Sequence, residues 1–456
     1  MDQKMVDTLK SVVTIVTPEN EQWEERRVRW NHFSNETSTE VIAIPKNAED
    51  VVKIVNWARE NGQTDIGVRA GGHGFFSTAK VVIDMRDGFT YSSVDEQTGI
   101  ATVGMGQTLK EVDDATHPWH IPVGVVSHTG TGLLLTGGVG YMTKAHGASS
   151  DNILEVTIVT SDGTIHKCSK DNEPDLFFAV RGAAPNLGIV TEVKIQAYHQ
   201  PDALCTLLAW PSTDENMQRL FDWADQPAIL EDTSITPYIA LIPTPDLDAH
   251  LVAIHLVSIA PKEDDERISD LYAQLHGTGE IPLLPTTRVP WEVPQTIFDA
   301  AFPAQYWYAG QTFYSGDVSI SQESLKDGRE AYNNQTLGPV VPMVIYEQRG
   351  SSNAKYHQFK SDHCAQPRFD QRWECFIFAG CAEKKDSENA RKVGRDLKAA
   401  VLKSKEASAG GRVHFTNDEP SRIEFYYGEN SARVKEVVQK YDSNKLFASC
   451  NGMDFK

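Results

Sequence analysis

Hydrophobic and polar positions fall into two alternating periods along the first two hundred residues. Val51, Val52, Ile54, Val55 and Ala58 recur at helical spacing behind Pro45-Lys46-Asn47, where Asn47 can cap the first turn, and Gly62 ends the segment. Shorter apolar runs follow at Ile66 and Val68, Val81 to Met85, Ile100 to Val103, and Gly188 to Ala197. Their lengths and their Asp- and Gly-rich boundaries predict strands, and Ile153 to Thr160 faces Thr164 to Cys168 across Ser161-Asp162-Gly163 as a hairpin. Asp175 to Arg181 reads as a short helix. This portion therefore predicts an α+β unit rich in short strands, with a βαβ-like beginning.

The pattern changes near Tyr198-His199-Gln200-Pro201. Beyond it, amphipathic stretches at about 213 to 225, 262 to 277, 322 to 334 and 387 to 403 alternate with strand-like runs at Tyr238 to Ile242, Leu251 to Ser258, Val340 to Tyr346 and Trp373 to Ala379. That alternation predicts an antiparallel sheet covered by helices on one face. The last fifty residues differ again, with Tyr426-Tyr427-Gly428-Glu429-Asn430 leading into a helix that turns Val434, Val437 and Val438 inward. The expected divisions are residues 1–200, 201–405, and a returning segment 406–456.

Composition narrows the partners. The chain has 456 residues and a formal net charge of -20, a balance that disfavours nucleic-acid phosphates and anionic membranes. No apolar run approaches the roughly 18 residues needed to cross a bilayer. The amino terminus shows no signal-peptide pattern, so a cytoplasmic protein with a small-molecule substrate is the expectation. Six scattered cysteines without a C-x-x-C pair suggest free thiols, and neither a disulfide scaffold nor a metal site. Oligomeric state is not legible.

Two glycine clusters carry the candidate chemistry. Arg69-Ala70-Gly71-Gly72-His73-Gly74 follows a predicted strand, and glycines there let backbone amides approach an anionic group closely. Ser127-His128-Thr129-Gly130-Thr131-Gly132 continues to Gly137, Gly138 and Gly140 with almost no charge, a composition able to wrap a flat, extended cofactor. Either cluster alone could be simple turn chemistry. Neither is a Walker loop, and neither matches the Rossmann fingerprint.

The order of these clusters, with Ala145-His146-Gly147, Asp151-Asn152, the run from Asp175 to Gly182, Asn186 to Val190, and the terminal Tyr426-Tyr427-Gly428, resembles berberine bridge enzyme-like flavin oxidases. These belong to the vanillyl-alcohol oxidase / p-cresol methylhydroxylase superfamily. The resemblance covers the first 200 residues and the last 45. It implies a two-lobed FAD-binding domain of the p-cresol methylhydroxylase type, a substrate domain with an antiparallel sheet covered by helices, and an FAD-dependent oxidase. His73 holds the position that relatives often bond to the flavin 8α-methyl. The resemblance further implies that Arg69, Gly71, Gly72 and Gly74 line the pyrophosphate, with Ala70 in the same cofactor-binding turn. Ser127, His128, Thr129, Gly130, Gly132, Gly137, Gly138 and Gly140 would follow the ribityl chain and ring, and Gly188 and Val190 the adenine side. His146, Asn152 and Tyr427 complete the implied cofactor set.

Two departures stand out. Val126 occupies the position where doubly linked relatives carry cysteine, so a single covalent link through His73 is expected. The run Arg412-Val413-His414-Phe415-Thr416-Asn417 lacks the tyrosine of the family's Y-x-N motif and puts His414 in place of its asparagine. A flavin oxidase moves hydride to N5 while a base takes a proton from an adjoining hydroxyl or amine. Tyr306, Tyr308, Tyr346, Glu347 and His414 are the candidate bases. The patch Tyr306-Trp307-Tyr308 would suit a flat or apolar substrate, although plain sheet packing is the commoner reason for aromatics in strands. The leading expectation is oxidation of a small aromatic or specialised-metabolite substrate, with dioxygen as acceptor and hydrogen peroxide as product. A flavoprotein guiding a non-redox cyclisation or isomerisation, and a carbohydrate oxidase, are the alternatives.

Overall fold

The structure is a computed structural model that describes residues 1–35, 39–74, 79–315, 320–367, 372–403, 407–409 and 422–447. Among these the strands form sheets of four, five and eight strands and one two-stranded pair. In the first sheet, Val41–Ile44 and Ile66–Arg69 flank Val81–Asp84, both parallel to it, and Thr14–Val16 pairs antiparallel at the edge. The crossover is the helix Ala48–Glu60, capped by Asn47 through the amide of Asp50 as the sequence predicts. Its face of Val51, Ile54, Val55, Trp57 and Ala58 packs with Val41, Ala43, Val81 and Ile83. That packing fixes where Ile66–Arg69 ends and hence where the first glycine turn begins.

The five-stranded sheet is antiparallel and runs in the order 92–95, 100–104, 188–196, 153–160, 165–169. The helix Pro174–Ala183, the 3-10 turn Thr131–Thr136 and the terminal helix Ser431–Tyr441 share its core through Leu176, Leu134, Val434 and Val437. The terminal helix thus packs on the first part of the chain through Val434, Val437 and Val438.

The eight-stranded antiparallel sheet uses residues 202–409, in the order 281–290, 202–211, 250–258, 235–243, 340–348, 373–381, 307–315, 407–409. Helices Asp214–Ala224, Gln322–Asn333 and Ser387–Val401 bury Leu220, Phe221, Leu325 and Leu397 against one face. The opposite face carries Tyr238, Ala240, Met343, Ile345, Phe376 and Phe378, packed with Val139 and Tyr141 from the second glycine cluster. Strand alternation decides which side chains meet that cluster. No helix among the described residues is long and apolar enough to cross a membrane.

Candidate active site

A continuous cavity opens where the three sheets meet. One wall is the first glycine turn, from Ala70 through Gly71, Gly72, His73 and Gly74. A second is formed by Val125, Val126, Thr129, Gly130 and Gly132, and Gly188 and Val190 close the side toward the five-stranded sheet. The far wall comes from the large sheet and its loops: Tyr238, Phe298, Phe302, Ile345, Glu347, Phe376 and Phe378. Val126 therefore lines the cavity without offering a sulfur.

The first turn departs from Arg69 with Gly72 at φ +77, a left-handed conformation that glycine adopts at little cost. Behind it lies a cluster of guanidinium groups. Arg69 pairs with Asp84 at 3.2 Å and donates to the Arg26 carbonyl at 2.9 Å, so it braces the turn from outside the cavity lining. Arg29, absent from the sequence-based set, is buried, and desolvation followed by the nearby Arg69 charge brings its pKa down to about 9. The Nε atoms of Arg29 and Arg69 are buried without hydrogen-bond partners. Asp84 and Asp87 also pair with Arg26, leaving three guanidinium groups facing two carboxylates behind the turn.

His73 stacks on Trp30 with ring centroids 4.2 Å apart and 11° between planes. Trp30 in turn stacks on Tyr308 at 4.4 Å. Burial, then the neighbouring His128, holds the His73 pKa well below the usual histidine range, so the imidazole is neutral. Its Nε2 lies 2.7 Å from Nδ1 of His128. Ser127 turns to Asp299, donating from its amide at 2.9 Å and from Oγ at 2.5 Å.

Several residues expected on the cofactor lie outside the cavity lining. A Cβ at Gly138 would collide with the Ser149 side chain, and one at Gly140 with the Val123 carbonyl, while Gly137 has φ +120. These three glycines permit loop packing and lie outside the cavity lining. His146 stacks on Tyr198 at 3.6 Å, and burial lowers its pKa to about 4. Asn152 donates to the carbonyls of His146 and Ala148 and accepts from the Tyr198 hydroxyl at 2.9 Å. Tyr427 is buried in the core of the five-stranded sheet, with Asn186 donating to its hydroxyl at 3.4 Å.

Among the candidate bases, the large sheet separates Glu347 from Tyr346. Glu347 reaches the cavity, whereas Tyr346 points to the helix-covered face and meets Phe221 edge-on at 5.2 Å. Adjacent residues of a strand take opposite faces, so the expectation for Tyr346 is corrected. Tyr308 donates its hydroxyl to the Pro303 carbonyl at 2.9 Å, and Tyr306 stacks beside it at 5.9 Å, both away from the cavity lining. His414 lies outside the described residues.

Glu347 belongs to a buried charge array. Arg349 bridges it to Glu374, with Nη2 2.5 Å from Glu374, and Glu347 and Glu374 face each other in register. Tyr238 stands opposite Glu347 on the neighbouring strand with its hydroxyl buried beside that carboxylate. Burial first, and the Glu347 charge second, push that phenol pKa well up, so it stays protonated. Tyr238, Phe298, Phe302, Phe376, Phe378, Trp30 and Asp299 are cavity or second-layer residues that sequence reasoning missed. Period-two alternation in the 373–381 run was the available signal for Phe376 and Phe378.

The glycine cradle with guanidinium groups behind it is a flavin-binding architecture, and comparison with known proteins gives the same class. A family profile described as FAD binding domain matches residues 39–169. An FAD-linked oxidoreductase of Dictyostelium discoideum is 34% identical over 428 residues, covering 92% of this chain and 89% of that protein. (R)-6-hydroxynicotine oxidase of Paenarthrobacter nicotinovorans is 39% identical over 189 residues, 38% of this chain and 40% of that protein. The solved structure of Physcomitrella patens BBE-like 1 superposes with a TM-score of 0.86 at 17% identity, covering 99% of both chains. The chain belongs to the FAD-linked oxidoreductases, and it shares its fold with the berberine bridge enzyme-like structure.

It is accordingly an enzyme and a flavoprotein. The residues present fit FAD. The guanidinium excess behind Gly71 and Gly72 suits a pyrophosphate, and at Gly132 a Cβ would meet nothing within 4 Å, leaving the cavity open to a flat ring.

Proposed function

We propose that the enzyme is an oxidase of a small, flat, largely apolar substrate carrying one hydroxyl or amine. The observation that carries this reading is the placement of Glu347 and Tyr238 in the same cavity as His73, among Phe298, Phe302, Phe376 and Phe378. Aromatic walls bind flat substrates by stacking and exclude water, and they offer few groups for the many hydroxyls of a sugar. Bound FAD supplies the two-electron acceptor, with dioxygen taking the electrons onward as hydrogen peroxide. Glu347 accepts the proton from the substrate hydroxyl or amine, held in place by Arg349. Tyr238 donates a hydrogen bond to the substrate heteroatom, and the neutral His73 forms the single covalent tether to the flavin.

The test is the visible spectrum of the purified enzyme, mixed anaerobically with a panel of aromatic alcohols, aromatic amines and oligosaccharides. Bleaching by an aromatic member, followed by peroxide on admitting air, is the expected result. Bleaching by oligosaccharides alone overturns the substrate class, and a spectrum unmoved during product formation overturns the redox reading.

A further inference from the structure

We propose that His128 and Asp299 are positioning residues that fix the tautomer of His73 and take up its proton as His73 Nδ1 bonds to the flavin. The proposal rests on the tether reading above and assigns residues to its formation.

Three segments converge here: the turn after Ile66–Arg69, the loop before Thr131–Thr136, and the short turn Asp299–Ala301. His73 Nε2 is 2.7 Å from His128 Nδ1, and His128 Nε2 is 3.8 Å from Asp299 Oδ1. Ser127 holds both carboxylate oxygens of Asp299, and Trp30 holds the plane of the His73 ring. The direction of the chain follows from charge. A carboxylate beside His128 Nε2 keeps the proton on that nitrogen, which leaves His128 Nδ1 an acceptor. The facing nitrogen of His73, Nε2, must then carry the His73 proton. His73 Nδ1 is left with a lone pair, and the ring lines the cavity. The opposite tautomer would place a proton on Nδ1 and abolish its nucleophilicity.

In the step itself a C–N bond forms between His73 Nδ1 and the flavin 8α carbon, and that methyl group loses one hydrogen. The Nε2 proton of His73 passes to His128 Nδ1, and Asp299 stabilises the resulting imidazolium, the role a buried carboxylate plays toward a histidine base. Two electrons enter the flavin ring system. Dioxygen removes them, and with the methyl hydrogen and the imidazole proton it leaves as hydrogen peroxide.

The experiment compares the wild type with His128→Asn, Asp299→Asn and His73→Ala, each purified as holoenzyme. Native absorbance gives total bound flavin, and fluorescence of the acid-precipitated, washed protein gives the covalent fraction. The wild type should keep its flavin through acid and His73→Ala should lose all of it. His128→Asn should bind FAD in the native state yet show a covalent fraction at least tenfold lower, and Asp299→Asn should lose it several-fold. A merely structural role would reduce native flavin and covalent flavin together, leaving their ratio unchanged, and would overturn the proposal. So would a wild-type covalent fraction in either variant; Asp299→Asn, isosteric and only partly buried, gives the answer should His128→Asn not fold. A wild type that releases all its flavin in acid overturns the tether reading itself and the relay with it.

Discussion

Gly71 and Gly130 stand back to back: a Cβ on Gly71 would lie 2.5 Å from the Gly130 amide nitrogen, and one on Gly130 2.3 Å from that of Gly71. The two glycine clusters are thus pressed together, backbone against backbone, and their contact shapes the floor of the cavity. Gly130→Ala should destabilise the protein by about 2 to 3 kcal/mol, because rigid main chain cannot move aside as a side chain can. Gly132→Ala adds a methyl group where nothing lies within 4 Å. It should leave unfolding within about 0.5 kcal/mol of the parent while reducing the flavin retained on purification. Urea unfolding and the flavin-to-protein absorbance ratio separate the two effects, and equal destabilisation by both variants would refute the account.

Glu347→Gln should lower turnover by about 10² to 10⁴, the range for loss of a positioned base. Flavin content should stay as it is, since glutamine preserves the shape of the wall. Tyr346→Phe should leave turnover unchanged, because that ring packs against Phe221 beneath the helices. Steady-state peroxide production by the two variants checks the assignment of faces; a reversed ranking would move the base to the other side of the sheet.

The contrast between these neighbours shows what the sequence could express. Period and turn chemistry located the strand holding both, and the resemblance of the glycine clusters placed His73 in the cavity. Neither could say which face of the 340–348 strand met the cofactor side, since both Tyr346 and Glu347 are buried. A fully buried strand loses the polar alternation that marks its outer face. Arg29, Asp299 and Trp30 were illegible for a different reason. The groups they meet at the site, Arg69 for Arg29, His73 for Trp30 and Ser127 for Asp299, lie forty or more residues away in sequence, and only tertiary packing brings Trp30 onto His73 or Ser127 onto Asp299. Arg69, by contrast, is legible from its motif, whereas its pairing with Asp84 on the adjacent parallel strand is visible only in the fold.

Acid should unfold the enzyme through buried neutral histidines. Burial lowers the pKa of His146 to about 4 and that of His255 to about 3. Unfolded histidine titrates near 6.5, so between these values the unfolded chain binds more protons and stability falls as the pH drops. From pH 7 to pH 5 each should cost about 2 kcal/mol. Thermal midpoints measured across that interval should fall steeply in the parent and less steeply in His255→Gln. Parallel curves for the two proteins would mean that His255 does not contribute.

Arg349 gives the sharpest electrostatic test. Glu347 and Glu374 sit opposite each other in register and are both buried, so without Arg349 two carboxylates would face one another in a dry wall. Arg349→Met should therefore cost about 3 to 5 kcal/mol, the range for stranding a buried charge. Adding Glu374→Gln to that variant removes one of the two repelling groups. The double variant should be more stable than Arg349→Met alone, even though Glu374→Gln in the parent background destabilises by breaking the pair with Arg349. That reversal of sign is the signature of direct coupling among neighbours. Urea midpoints for the four proteins close the cycle, and simple additivity would show that Arg349 acts by packing and not by neutralising the glutamates.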